Sequence, residues 1–208
     1  GANGCSATSL ATTVNILTPS PVSAINGASS VCVNSATALT NATSGGVWTS
    51  STPAVATISA AGIVTGVSAG STTISYTINS TNGCQNTATK VVTVNAVPST
   101  ALTASGATTF CQGGNVQLTA SAGATYAWSN GATTSSITAT TAGTYNVTVT
   151  DANGCSSVST NQTITVNALP TAQISTNGST NLCTGGSITL MATPSASYLW
   201  STGATTSS

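Results

Sequence analysis

Histidine, glutamate and arginine are absent from this 208-residue sequence, and its whole side-chain charge is one lysine, Lys90, and one aspartate, Asp151. Each absence closes a class of function. General acid–base chemistry needs groups that titrate near working pH, and a single carboxylate cannot supply an acid and a base. A serine or cysteine nucleophile would have no histidine to activate it. Zinc sites that rest on histidine, and calcium sites that rest on several carboxylates, lack their ligands. Phosphate backbones are held by clustered lysine and arginine, so a nucleic-acid partner is excluded too. No apolar run nears the roughly 18 residues of a membrane span. The sequence therefore predicts no catalytic residue, no metal site, no cofactor, no nucleic acid and no membrane span. A structural or binding protein is what remains.

Serine and threonine fill 76 positions, and Gly, Ala and Asn supply much of the rest. Six cysteines stand at Cys5, Cys32, Cys84, Cys111, Cys155 and Cys183, with short and long intervals alternating. No C-x-x-C pair occurs. In a chain this poor in charge, such regular spacing reads as structural disulfides, hence an oxidising, extracellular setting.

The intervals follow from internal repetition. WSNGATTSS, from Trp128 to Ser136, returns as WSTGATTSS from Trp200 to Ser208. FCQGGNVQLTA at 110–120 is matched by LCTGGSITLMA at 182–192. The tripeptide N-G-C occurs at 3–5, 82–84 and 153–155, each followed by a V-N pair and then a proline. Laid end to end, these matches predict the C-terminal part of one repeat at 1–19, complete repeats at 20–97 and 98–169, and the N-terminal half of another at 170–208. A window on a longer array explains the two partial repeats most simply. A neighbouring chain donating the missing strands is the rival explanation.

Apolar residues alternate with polar ones at Val116-Leu118-Ala120, Tyr145-Val147-Val149, Ile74-Tyr76-Ile78 and Val92-Val94. Period two marks half-buried strands, and Thr and Val suit a pleated surface. Turn signals such as Gly113-Gly114, Asn130-Gly131 and Asp151-Ala152-Asn153-Gly154 separate them. The expected fold is all-β, with tandem immunoglobulin-like β-sandwich repeats in an extended rod.

Within that fold the spacing predicts disulfides Cys32–Cys84 and Cys111–Cys155, each stapling one end of one sandwich, with the partners of Cys5 and Cys183 outside this chain. Trp48, Trp128 and Trp200 each follow a repeat's first cysteine by 16 or 17 residues. That recurrence marks them as core aromatics on the third strand, together with Tyr76 and Tyr145. Tyr126 and Tyr198, two positions before their tryptophans, are expected at the core edge.

The motifs FCQGGNVQLTA, YAWSNGATTSSITATTAGTYNVTVTDANGC and ITVNALP resemble the Ig-like or PKD-like repeats of very large Bacteroidetes surface proteins. VWTSSTPAVATISAAGIVTGVSAGSTTISYTI, at 47–78, is similar to a bacterial Ig-like group 2 domain. The resemblance implies export by type IX secretion, display at the cell surface and, for some relatives, a role as a gliding-motility adhesin. It does not imply a ligand. The function expected is the structural repeat region of a large extracellular filament or adhesin stalk, acting by length, stiffness and weak repeated contacts. The alternative is a carbohydrate-recognising Ig-like module of a secreted multidomain protein. Expected partners are neighbouring repeats or other copies of the chain, with surface polysaccharide or other cells as targets.

Overall fold

The structure, a computed structural model, describes residues 13–81 and 83–208. Cys5 and most of segment 1–19 lie outside the described residues. Among those described there is no helix; every regular element is a strand. The chain clusters into two compact units. One takes in the chain up to Ser99 with 122–126 and 148–158; the other holds 100–121, 127–147 and 159–208.

The first repeat contributes β1 (Asn26–Gly27), β2 (Ser30–Cys32), β3 (Ala36–Thr40), β4 (Val47–Ser50), β5 (Ala56–Ile58), β6 (Ile63–Gly66), β7 (Gly70–Asn79) and β8 (Gln85–Asn95). They form two four-stranded sheets, in orders β1-β3-β6-β5 and β2-β8-β7-β4. All neighbours are antiparallel except β2, which runs parallel to β8. The alternation read from the sequence is the alternation of burial. Thr72, Ile74, Tyr76 and Ile78 of β7 face inward with Val92 and Val94 of β8, against Leu39, Ala56 and Val64 of the other sheet. Thr72 is the polar member of this face, and its hydroxyl meets the Thr52 amide and the Ser50 and Ser51 hydroxyls. A buried hydroxyl is tolerated once it is paired in this way.

The second repeat contributes β9 (Leu102–Ala104), β10 (Thr109–Cys111), β11 (Val116–Ala120), β12 (Thr125–Trp128), β13 (Ser136–Ala139), β14 (Gly143–Tyr145), β15 (Val147–Thr150), β16 (Ser156–Val158) and β17 (Gln162–Asn167). Their sheets are β13-β11-β9, β10-β17-β14 and β12-β15-β16. The parallel pairing recurs here between β10 and β17. Where β7 and β8 run unbroken, the second repeat interrupts both strands. From its N-G-C cysteine to its V-N asparagine the first repeat has 11 steps (Cys84 to Asn95) and the second 12 (Cys155 to Asn167). The extra residue falls at a bulge around Ser159. There the buried Ser159 exchanges bonds with Val147, its amide donating to the carbonyl and its hydroxyl accepting from the amide.

Residues 170–208 carry β18 (Ile174–Thr176) and β19 (Leu190–Ala192). Their pairing, Ile174 opposite Ala192, repeats that of Leu102 opposite Ala120, 72 positions earlier.

Candidate functional site

The chain's distinctive chemistry is in its cysteines, and the turns that carry them are built alike. Cys32 ends β2 and Cys111 ends β10. Their parallel partners place Cys32 opposite Asn95 and Cys111 opposite Asn167. After each cysteine the chain makes one more ladder bond, Val33 N–H to Asn95 O at 3.0 Å and Gln112 N–H to Asn167 O at 2.8 Å. It then turns back, with Ser35 N–H on Cys32 O and Gly114 N–H on Cys111 O. Cys183 is followed by the same turn, closed by Gly186 N–H on Cys183 O. The third residue of the turn, two past the cysteine, sits at positive φ in all three, as Asn34 (62°), Gly113 (93°) and Gly185 (86°). Glycine and asparagine are the residues that reach this region at least cost.

The N-G-C cysteines occupy a different kind of turn. Asp151 N–H donates to Cys155 O and Gly154 N–H to Asp151 O, and the same pair of bonds links Ser80, Cys84 and Gly83. Gly154 (80°) and Gly83 (83°) both sit at positive φ, which glycine reaches at least cost. The only acidic side chain is used here. Asp151 Oδ1 accepts from the amides of Asn153 and Cys155, both at 2.9 Å.

Cys32 is bonded to Cys155, with Cα atoms 5.7 Å apart and a sequence separation of 123. The expected pairs Cys32–Cys84 and Cys111–Cys155 are thereby corrected. The reason is the parallel strand. Pairing β2 with β8 sets Cys32 beside Asn95, whereas Cys84 precedes the opposite end of this 11-residue strand. At strand rise that is about 35 Å, far beyond the 4.4–6.8 Å Cα separation that a disulfide spans. Cys111 loses its expected partner because Cys155 is already spent on Cys32. Cys111 and Cys183 carry exposed thiols. Cys84 is half-buried, with its sulfur 3.6 Å from Leu17 O.

Beside the bond, Val33, Asn34, Ser35 and Val97 face Gly154, Ser156 and Ser157 across an open cleft of about 480 Å³. No titratable side chain lines it.

The aromatic side chains are placed as follows. Trp48 is half-buried on β4, directly opposite Tyr76 of β7, with ring centroids 4.6 Å apart. Tyr76 is buried, donates its hydroxyl to Thr43 O and accepts from Gly46 N–H, both at 2.8 Å. Trp128 is buried and its indole N–H donates to Thr134 O at 2.7 Å. Tyr145 is buried and its hydroxyl reaches back to Thr141 O at 3.1 Å. Trp200 is half-buried and repeats the bond of Trp128, donating to Thr206 O at 2.8 Å. Tyr126 and Tyr198 are half-buried, and each hydroxyl accepts the amide of the residue three positions earlier, Gly123 and Ser195. Polar atoms of both tryptophan–tyrosine pairs are thus engaged by their own hairpins.

Residues 11–91 match the family described as bacterial Ig-like domain (group 2). The coarser part of the resemblance, an Ig-like repeat in an all-β chain, stands on that match. No curated protein matches the chain. Among solved structures, the chain is similar to domains 4 and 5 of the S-layer protein SbsC at 15% identity, covering 73% of this chain and 100% of that one with a TM-score of 0.35. It is similar to murine CEACAM1b at 17% identity, covering 70% and 100%, with a TM-score of 0.32. A third is the Bacteroides ovatus mixed-linkage glucan utilization locus SGBP-B in complex with a mixed-linkage heptasaccharide. Its identity is 13%, its coverage 80% and 72%, and its TM-score 0.24. Likenesses this loose transfer no ligand or partner. Among the described residues, no helix is long and apolar enough to cross a membrane.

Proposed function

We propose that the chain is a repeat segment of a large extracellular cell-surface filament or adhesin stalk. On this reading 20–97 and 98–169 are complete repeats, 1–19 ends a preceding one and 170–208 begins another. The observation that carries it is the Cys32–Cys155 bond, which ties a residue of one repeat to a residue of the next. A covalent tie of that kind serves load and spacing.

The apolar face of 170–208 supports the same reading. Leu118 is fully buried, while Leu190, 72 positions later, is 41% exposed. Strands equivalent to β13–β17 would cover that face. Short V-N-x-x-P connections stiffen such an array, since proline restricts its own φ and the residue before it. A hydroxyl- and amide-coated surface makes contacts that salt does not screen. It also lacks the charge repulsion that keeps proteins apart, so neighbouring repeats and other copies are the partners it favours. Type IX export and Bacteroidetes origin are the finer part of the proposal. They rest on resemblance, and a C-terminal sorting domain in the parent protein would test them.

Electron microscopy of the native material tests the central reading. Threads or bundled fibres are expected. A compact particle in which this chain is an appendage to an enzyme would overturn it.

A further inference from the structure

We propose that Cys111 forms a second inter-repeat disulfide, with the cysteine of an N-G-C hairpin turn in the repeat that follows. The inference rests on the array reading above and assigns a specific partner to a thiol that the structure leaves exposed.

Three observations carry it. The first is equivalence of position. Cys111 matches Cys32 in parallel register, in the ladder bond that follows and in the turn with positive φ two residues on. The second is that Cys32 is bonded, and its partner Cys155 belongs to an N-G-C turn of the next repeat. The third is the surface around the thiol. Val97, two residues past Asn95, lines the cleft that receives Gly154 and Ser156. Its counterpart Leu169, two residues past Asn167, is 58% exposed. Val97 is itself 39% exposed at the cleft, so Leu169 is the more open of the two equivalent positions.

The partner follows from the repeat offset. Residues 170–208 repeat 98–136, and Cys155 lies 19 positions past Ser136. The cysteine that would meet Cys111 is therefore in an N-G-C turn 19 positions past Ser208. Closing the bond removes two protons and two electrons from the two thiols. A disulfide oxidant of the extracellular or secretory compartment accepts them, becoming a dithiol by thiol–disulfide exchange. Cys183, which shares the turn of Cys111, would take the corresponding cysteine one repeat further on. The chain would then be laced by staggered bonds, each from the parallel strand of one repeat to the final hairpin of its successor.

Mass mapping of the full-length parent protein tests this. Thiols are alkylated before extraction, and digestion uses elastase, because one lysine leaves trypsin a single site in these 208 residues. The expected product is a peptide containing Cys111 joined to an N-G-C peptide from beyond Ser208, with Cys111 alkylated only after reduction. Recovery of Cys111 in alkylated form without reduction, or bonded to any cysteine within 1–208, overturns the proposal. The two failures are distinguishable. If the parent has a further repeat with an N-G-C turn and Cys111 is still alkylated, the ladder fails and the array stands. If no such repeat follows Ser208, the array reading fails with it.

Discussion

Trp48 and Tyr76 stand directly opposite each other on β4 and β7, their rings 4.6 Å apart, and the tyrosine hydroxyl pins the loop before β4 through Thr43 and Gly46. This one contact joins sheet pairing to loop position. Tyr76→Phe keeps the ring but strands the Gly46 amide and the Thr43 carbonyl. A loss of about 1–2 kcal/mol is expected, read as a lower urea midpoint with unchanged slope. No change in midpoint would show that water replaces the hydroxyl at no cost.

Leu118 and Leu190 hold the same position in two repeats and meet different surroundings. Leu118→Ala should cost about 2–5 kcal/mol, the range for an emptied core site. Leu190→Ala in this 208-residue chain should stay within about 0.5 kcal/mol. Equal losses at both sites would mean that 170–208 finds cover in solution, by association with another copy. Sedimentation would show that association directly.

Asp151 acts as a turn cap whose carboxylate accepts two amides. Asp151→Ala should cost about 1 kcal/mol. Asp151→Ser should cost less, since Ser80 holds the corresponding position and its backbone makes the same turn bonds. Denaturation of the two variants side by side gives the order, and a serine variant no better than alanine would contradict the capping role.

Stability varies with pH only when the folded and unfolded chains bind different numbers of protons. One carboxylate side chain, one lysine and no histidine leave little to exchange between about pH 5 and 8. The urea midpoint should be flat across that range and insensitive to added salt. A shift worth more than about 1 kcal/mol would contradict this small electrostatic share in stability.

The sandwich was legible in the sequence because burial and alternation share one cause. Residues such as Ile74, Tyr76 and Ile78 take the same face of a strand whatever the strand pairs with. The hairpin turns were equally readable, since Gly154 and Asp151 advertise the conformations they adopt. Disulfide connectivity was not legible, because it depends on which end of a long strand a short strand joins. β2 and β10 have three residues each, too few to show a period. Their parallel pairing with the last strand decides where Cys32 and Cys111 lie. The recurring V-C-V-N and F-C-Q-G segments carried a signal in their matched turn residues, but a turn alone does not say which strand lies beside it. The part-exposed state of Trp200 was hidden for another reason: its motif is that of the buried Trp128, and a nine-residue motif does not encode what packs over it.

The most direct measurement is a disulfide map of the 208-residue chain, refolded under oxidising conditions and digested without reduction. Cys32 joined to Cys155 is the predicted peptide, and closing so long a loop should add about 5 kcal/mol by the chain-entropy estimate. Cys32→Ser and Cys155→Ser should then lose the same stability, while Cys111→Ser loses none. A map showing Cys32 with Cys84 and Cys111 with Cys155 would contradict the account, since each sandwich would then be closed on itself with nothing binding it to the next.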